Sequence, residues 1–493
     1  MEALIQFLYY LTVIIYTLTL GYITLFCLMQ LHLLFLYRKK RPHVPPPSPP
    51  VQWPKVTIQL PIYNELFVVE RLLDRIVHID YPREQLEIQV LDDSTDETVD
   101  LIAGKVAQYQ QAGIPIIHLR RESRKGFKAG ALQYGLEKAQ GQFIAIFDAD
   151  FLPRPDFLKR TIPYFNNPKI GVVQTRWEHL NETYSLITRL QALQLNVHFS
   201  IEQTGRRLGN YLLQFNGTAG VWRRQAIEDA GGWQSDTLTE DLDLSIRAQL
   251  RGWKIHYLEE IGAPAELPVE MNSLKSQQYR WMKGGAETAK KMLPQIWRAP
   301  LPLLKKLHAT GHLLASSIFV FVFLIGVCSV PMLFAINELS INANWYTFFL
   351  IGWLSIVAVY YVGNVQAEFQ KGPYLKRVLK FIALFPLFLS LSMGLSLHNT
   401  IAVLQGYWGK RTPFVRTPKL GIRSVSESLR NRTRYLQWRI SWLTFFEGLL
   451  ALYFLGALIV GIVQHQTTFI LLHFMLLVGY GSICYLTIRH LKV

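Results

Sequence analysis

The sequence predicts an α/β domain set between α-helical transmembrane segments, and three observations lead there. From Val56 onward, short β-rich apolar runs alternate with helix-period segments, the pattern of a parallel sheet with crossover helices. Three of those runs end in polar residues at one expected edge: Tyr63 and Glu65, Asp92 and Asp93, Asp148 and Asp150. Ligands of such sheets bind outside the carboxyl ends of the strands. Long apolar stretches lie on both sides of this region and bring the mean hydropathy to +0.17.

The 493 residues suffice for more than one domain, and half of them are hydrophobic. A net charge of +16 suits nucleic acid, an anionic membrane face or a phosphorylated substrate. No basic-aromatic module is present and much of the charge flanks apolar segments, so membrane lipids and a phosphorylated substrate are expected and nucleic acid is not. Cys27, Cys328 and Cys484 all sit in apolar stretches, as core residues rather than a disulfide frame or zinc site. The histidines lack ligand spacing, so no structural metal is expected.

Residues 3–36 contain no Lys, Arg, Asp or Glu, enough for one tilted span and too few for two. No small-residue cleavage site is evident, so residues 1–37 read as an anchor. Arg38, Lys39, Lys40 and Arg41 place its end in the cytosol. Residues 38–54 are a basic, proline-rich linker, stiff over HVPPPSPP. Residues 55–300 form the cytosolic domain.

Within it VTIQLPIYNE is a first strand, residues 66–79 a helix, LEIQVLDDSTDET a second strand and IPIIHLR a third. RKGFKAGALQYGLEKA is a glycine-bearing loop feeding a helix. FIAIFDAD then ends in two carboxylates one residue apart, which repel unless a hard divalent cation settles them. Thr175–Arg207 reads as amphipathic helix. YLLQFNGTAGVW is a strand or loop whose small residues let a ligand near the backbone. A helix starts near Thr239, with acids in its first turn as the dipole favours. Residues 274–288 are helical.

Taken in order, LDDSTD, KAGAL, FDAD, FNGTAGVW, TEDLDL and QQYRW resemble a membrane-integrated family 2 glycosyltransferase of the cellulose synthase-like group, nearest to β-mannan and β-glucan synthases. The likeness covers residues 50–300 strongly and the remainder loosely. It implies a GT-A-type nucleotide-sugar-binding domain inserted between transmembrane helices. It also implies an inverting, processive hexosyltransferase that extends a β-glycan from a UDP- or GDP-hexose and passes it across the membrane.

On the same resemblance, Asp148 and Asp150 hold Mg2+ or Mn2+ on the donor diphosphate. Asp92 and Asp93 serve the uridine side, Lys128 the nucleotide, and Tyr63 and Glu65 the base. Asp241 is the general base, and Arg280 stabilises the pyrophosphate. Asn216, Gly217, Thr218, Glu240, Gln277 and Trp281 form the acceptor side, with Trp281 stacking on the terminal sugar. Many cellulose synthases carry Cys at the position of Asn216, whereas mannan and glucan-backbone relatives carry Asn. Loop 409–425 resembles a gating loop through Phe414, Arg416 and Thr417, with Arg416 standing where the family has Val.

Residues 301–493 form the C-terminal membrane domain. Apolar segments near 304–336, 345–366, 440–463 and 467–488 are read as four spans. Basic loops flank 378–406 on both sides, so that segment is expected to be interfacial or re-entrant, with Pro386, Gly394, His398 and Asn399 interrupting it. Glu447, near a span's start, either lines a polar path or snorkels. No cyclic-dinucleotide domain is expected after the last span. The expected location is a bacterial inner (plasma) membrane with the catalytic domain cytosolic. Two other functions fit: single transfer to a lipid acceptor instead of a glycan, and a nucleotide-binding transporter or receptor. Donor, linkage and oligomeric state are open at this stage.

Overall fold

The computed structural model describes residues 2–39, 46–410, 412, 415–422, 435 and 441–492. Its centre is a seven-stranded sheet: β1 (Val56–Ile62), β2 (Leu86–Asp92), β3 (Ile116–Arg120), β4 (Phe143–Ile146), β5 (Ile170–His179), β6 (Gly220–Arg223) and β7 (Lys254–Ala265). The order is β3-β2-β1-β4-β6-β5-β7. β6 pairs antiparallel with both its neighbours, while β1 to β4 are mutually parallel, as are β5 and β7. The three polar strand ends therefore do share one edge.

Alternation within each strand builds two apolar layers. One face carries Ile58, Leu60, Ile88 and Val90 against α2 (Val69–Ile76) and α3 (Thr98–Gln111). The other carries Ile144, Ile146 and Trp222 against α4 (Phe127–Lys138) and against two helices that follow α5 (Phe157–Thr161). A polar seam runs beneath α4: the Thr57 hydroxyl donates to Glu87 over 2.5 Å, and Gln59 donates to Gln89 over 3.1 Å. Gly135 lets α4 lie on that seam, since a Cβ there would stand 2.6 Å from the Gln59 amide nitrogen.

The expected helix from Thr175 is corrected. β5 continues to His179 because β7 pairs with it along its length, and β7 itself was hidden by its charges and its Gly-Ala-Pro segment. Helix begins only at α6 (Leu186–Val197), where Ser185 and Thr188 form a reciprocal capping box. A π-helical turn over His198–Glu202 leads into α7 (Gln203–Leu208). Residues 211–219 are irregular, and only Gly220–Arg223 is strand, followed by α8 (Arg224–Asp229). α9 (Glu240–Leu250) starts as expected, but Thr239 does not cap it; its hydroxyl shares a hydrogen bond with Thr288 at 3.0 Å.

α10 (Met271–Arg298), longer than expected, is capped by the Glu270 carboxylate and passes under the domain. Around the sheet domain stand α1 (Glu2–Arg38), α11 (Leu303–Leu313), α12 (Ile318–Glu338), α13 (Leu350–Tyr361), α14 (Tyr374–Gly394), α15 (Ser396–Trp408), α16 (Trp442–Val463) and α17 (Ile470–Arg489). Among the described residues, six helical segments are long and apolar enough to cross a membrane: Glu2–Arg38, Ala315–Glu338, Asn344–Gln366, Tyr374–Gly394, Trp442–Val463 and Ile470–Arg489. Their number and apolarity mark an integral membrane protein.

The segment expected to be interfacial thus contains a helix able to cross by length and composition. Its contacts qualify that capacity. Near the start of α14, Lys380 pairs with Glu182 of the sheet domain over 2.5 Å. At the end of α15, Lys283 of α10 donates to the Lys410 carbonyl over 2.5 Å and Lys290 to the Tyr407 carbonyl over 2.8 Å. Between them, Gly394 and Gly479 of α17 let the two backbones meet, where a Cβ on Gly479 would overlap the Ser390 carbonyl.

Candidate active site

One open cleft of about 1310 Å³ lies along the carboxyl edge of the sheet, closed below by α10 and above by the segment 416–419. Tyr63, Glu65, Asp93, Lys128, Asp148, Asp150, Asn216, Gly217, Glu240, Asp241, Gln277, Arg280, Trp281, Arg416 and Thr417 all line it. The residues singled out from sequence are therefore gathered from the carboxyl ends of three strands, the turn before β6, three helices and a distant loop. Two of the set stand behind the wall. Asp92 is buried and accepts from Ser94 N–H and from His118 at 2.8 Å each, so it shapes the turn that presents Asp93. Thr218 accepts the Asp148 N–H over 2.9 Å and so fixes the acidic turn from the side. Phe414 lies outside the described residues.

The two carboxylates at the end of β4 are each met by a lysine. Lys128, at the start of α4, donates to Asp148 over 2.6 Å and to the Gly217 carbonyl over 2.9 Å. Lys419 donates to Asp150 over 2.8 Å, and the other carboxylate oxygen, Oδ1, is buried without a hydrogen-bond partner among the described residues. Among the described residues no third His, Cys, Asp or Glu joins them into a complete metal shell. The pair suits a hard cation whose remaining ligands are diphosphate and water oxygens.

Asp241 sits in the first turn of α9, with its Oδ1 accepting the Leu242 N–H over 2.8 Å. Burial and then the neighbouring Glu240 charge push its carboxyl up to about 7, against the pull of Lys128. Glu240 is likewise raised, chiefly by burial. The Asn216–Gly217 turn lies directly on Asp241. Gly217 has φ +76°, and a Cβ there would stand 2.9 Å from the Asp241 Oδ2. Asn216 is held through its Oδ1 by Gln214 at 2.7 Å and by His198 at 2.9 Å, the latter on the π-helical turn.

The segment above the cleft is tied down at several points. Arg416 pairs with Glu65 over 2.5 Å, and Arg280 of α10 donates to Thr417 over 2.6 Å. Gly421 N–H donates to Glu266 over 3.0 Å, while Leu420 and Ile422 pack on Val269. Burial raises Glu65 to about 7 despite Arg416. On the other wall the Arg124 guanidinium lies 3.3 Å above the Tyr63 ring.

Sequence reading missed Trp177, His179 and Glu266, which also line the cleft. The nitrogens Trp177 Nε1, His179 Nε2 and Asn216 Nδ2 are buried with no partner among the described residues. Burial lowers His179 to about 4, so its ring is neutral near pH 7. Such a row suits a ligand rich in hydroxyls. The alternation in IGVVQTRWEH was the signal for Trp177 and His179, obscured because the chain from Thr175 reads as helix; Glu266 follows β7, which had no such pattern.

A family model described as Glycosyltransferase like family 2 matches residues 54–284. Glucomannan 4-beta-mannosyltransferase 1 of Cyamopsis tetragonoloba is 36% identical over 387 residues, which are 75% of this chain and 69% of that relative. The chain belongs to the cellulose synthase-like family 2 glycosyltransferases. Its α/β domain is of the GT-A type. Probable glucomannan 4-beta-mannosyltransferase 7 of Oryza sativa subsp. japonica is 43% identical over 263 residues, covering 52% of this chain and 45% of the relative. The chain thus spans about half the length of that rice relative. Among solved structures, mannosyltransferase PcManGT from Pyrobaculum calidifontis, in complex with GDP-Man and Mn2+, superimposes with a TM-score of 0.49 at 18% identity, covering 79% of this chain and 100% of that chain. The named sequence relatives are plant proteins and lend no support to the expected bacterial inner membrane.

Proposed function

We propose that this glycosyltransferase is an inverting enzyme that moves a hexose from a nucleotide-diphosphate sugar onto a growing β-glycan. The observation that carries the reading is the cleft itself: the Asp148/Asp150 pair, Asp241 and Trp281 line one continuous space. The relatives' names supply the sugar and bond, so the donor sugar is taken as mannose and the linkage as β-1,4.

In this reading Asp148 and Asp150 hold Mg2+ or Mn2+, which when bound neutralises the departing diphosphate. Arg280 and Lys128 add fixed positive charge beside it. Tyr63, Glu65 and Asp93 meet the nucleoside. Asp241 takes the proton of the acceptor hydroxyl as the oxygen attacks the anomeric carbon. The bond to the diphosphate breaks on the opposite face, so one displacement converts an α-linked donor into a β-linkage. Trp281 offers a ring face to the terminal sugar of the acceptor, with Asn216, Trp177 and His179 in reach of its hydroxyls. The segment 416–419 covers the donor and limits its loss to water.

We further propose repeated addition and passage of the glycan through the membrane helices. Five of the six apolar segments are read as spans, with Tyr374–Gly394 and α15 forming a re-entrant pair. The support is that both ends of the pair touch the cytosolic domain, while α15, with His398, Asn399, Thr400 and Gln405, is too short and polar to cross back. The test incubates purified full-length protein with labelled GDP-mannose, GDP-glucose and UDP-glucose, followed by sizing and linkage-specific digestion. Long polymer cut by a β-1,4-mannanase is expected. A single sugar attached to lipid would replace synthesis with lipid glycosylation.

A further inference from the structure

A second cleft, of about 780 Å³, lies away from the first, between the start of α14, the side of α6 and the loop after α13. Arg189, Lys371, Lys376, Arg377 and Lys380 line it, and Glu182 is the one acid among its lining residues. Lys380 is paired with that acid over 2.5 Å. Lys371 and Lys376 form no ion pair among the described residues. The Arg377 Nε is buried without a hydrogen-bond partner among the described residues, although one terminal nitrogen donates to the Gln370 carbonyl over 3.2 Å. Leu193, Phe381 and Leu384 supply an apolar wall.

The height of this cleft in the membrane follows from its neighbours. Arg38 at the end of α1 donates to Gln366, just past α13, over 2.5 Å, so two spans end there at one level. Asn364 and Gln370 of the cleft lie within one helical turn of that level in sequence. α14 is split lengthwise. Lys376, Arg377, Lys380 and Phe381 face the cleft, whereas Leu375, Leu379 and Ile382 are exposed, at 68%, 58% and 62%. The first turns of α14, so divided, sit at the bilayer surface with their apolar stripe toward the acyl region.

We propose that this cleft binds the phosphate-bearing headgroup of an anionic lipid of the cytosolic leaflet. The headgroup phosphate meets Arg189, Lys371, Lys376 and Arg377, and the acyl chains run along Leu375, Leu379 and Ile382. Polybasic clusters beside membrane spans attract such headgroups. Here the charges surround a concavity rather than a flat surface, which gives one molecule a defined seat. The bound lipid braces α6 against α14. On the third side of the cleft Asn196 of α6 donates to Asn364, in the turn after α13, over 3.1 Å.

The probe is phosphatidic acid against phosphatidylcholine, each offered in mixed micelles to the purified full-length protein and read by native mass spectrometry after partial delipidation. The wild type is expected to keep one phosphatidic acid and to release phosphatidylcholine. The double variant K371Q/K376Q changes two exposed side chains and is expected to retain at least about tenfold less. R189Q, placed on α6, tests the opposite wall and is expected to weaken retention in the same direction. Unchanged thermal unfolding certifies that the variants fold. Equal retention of both lipids, or equal retention by wild type and variants, overturns the proposal. A competition arm adds millimolar glycerol phosphate. Complete displacement would assign the cleft to a free phosphate and remove the lipid; persistence of the lipid supports it.

Discussion

Asp241 is charged only at a cost, because burial and Glu240 both oppose its ionisation. With Asp241 as the proposed base, the transfer rate is expected to rise with pH through about 7, as its carboxyl loses the proton. Stability has the opposite slope. A carboxyl whose folded pKa exceeds its unfolded value binds more protons when folded, so stability falls as pH rises between the two values. Asp241→Asn is expected to keep nucleotide binding, to lose at least about a hundredfold in transfer, and to melt higher than wild type at pH 8. Calorimetric binding beside a transfer assay and a thermal scan checks all three. Gly217→Ala gives the complementary case. Its φ of +76° and the 2.9 Å approach to Asp241 leave no room for a Cβ, so loss of transfer with a folded protein is expected. Lys419 occupies Asp150 where a cation would sit. Lys419→Gln is expected to lower the Mn2+ concentration needed for half-saturation several-fold, read by the loss of the free-ion electron paramagnetic resonance signal.

At the scale of elements, α10 links the cleft to the membrane. Its Lys275 is buried and pairs with Glu447 of α16 over 2.7 Å and with Thr487 of α17 over 3.0 Å. Glu447 is fully buried in this pair, so the snorkelling alternative does not hold. Burial lowers the Lys275 pKa, and the pair holds the charge in place. Lys275→Met alone strands a buried carboxylate and is expected to destabilise by about 3–5 kcal/mol. Lys275→Met with Glu447→Leu is expected to recover most of that loss, measured by thermal unfolding in one detergent. Elements were legible where chemistry was local. FIAIFDAD announces a buried strand with an acidic end, and Thr239 to Asp243 announces a helix start. β7 was not legible, because a strand broken by bulges and carrying Glu259 and Glu260 owes its existence to pairing with β5 rather than to its own pattern. The lysine on Asp150 was equally hidden, since 269 residues separate the partners.

For the whole molecule, the sequence already showed an α/β domain between membrane helices and the polar edge of its sheet. It did not show how α14 and α15 are seated. Apolarity alone makes Tyr374–Gly394 a candidate span, and the contacts at Glu182, Lys283 and Lys290 are what support the proposed return of both ends to the domain side. Cysteines placed at Gly372 and Gly409 of a cysteine-free background are expected to react only with reagent that reaches the cytosolic side. Labelling of the two sites from opposite sides would make the segment a true span and change the number of crossings to six. The Asp148/Asp150 cleft stands or falls on a single displacement at one carbon. The anomeric configuration of the first newly transferred sugar, read by nuclear magnetic resonance on a short acceptor, tests this most directly. The geometry predicts a β-linkage from an α-linked donor, and an α-linkage would contradict it.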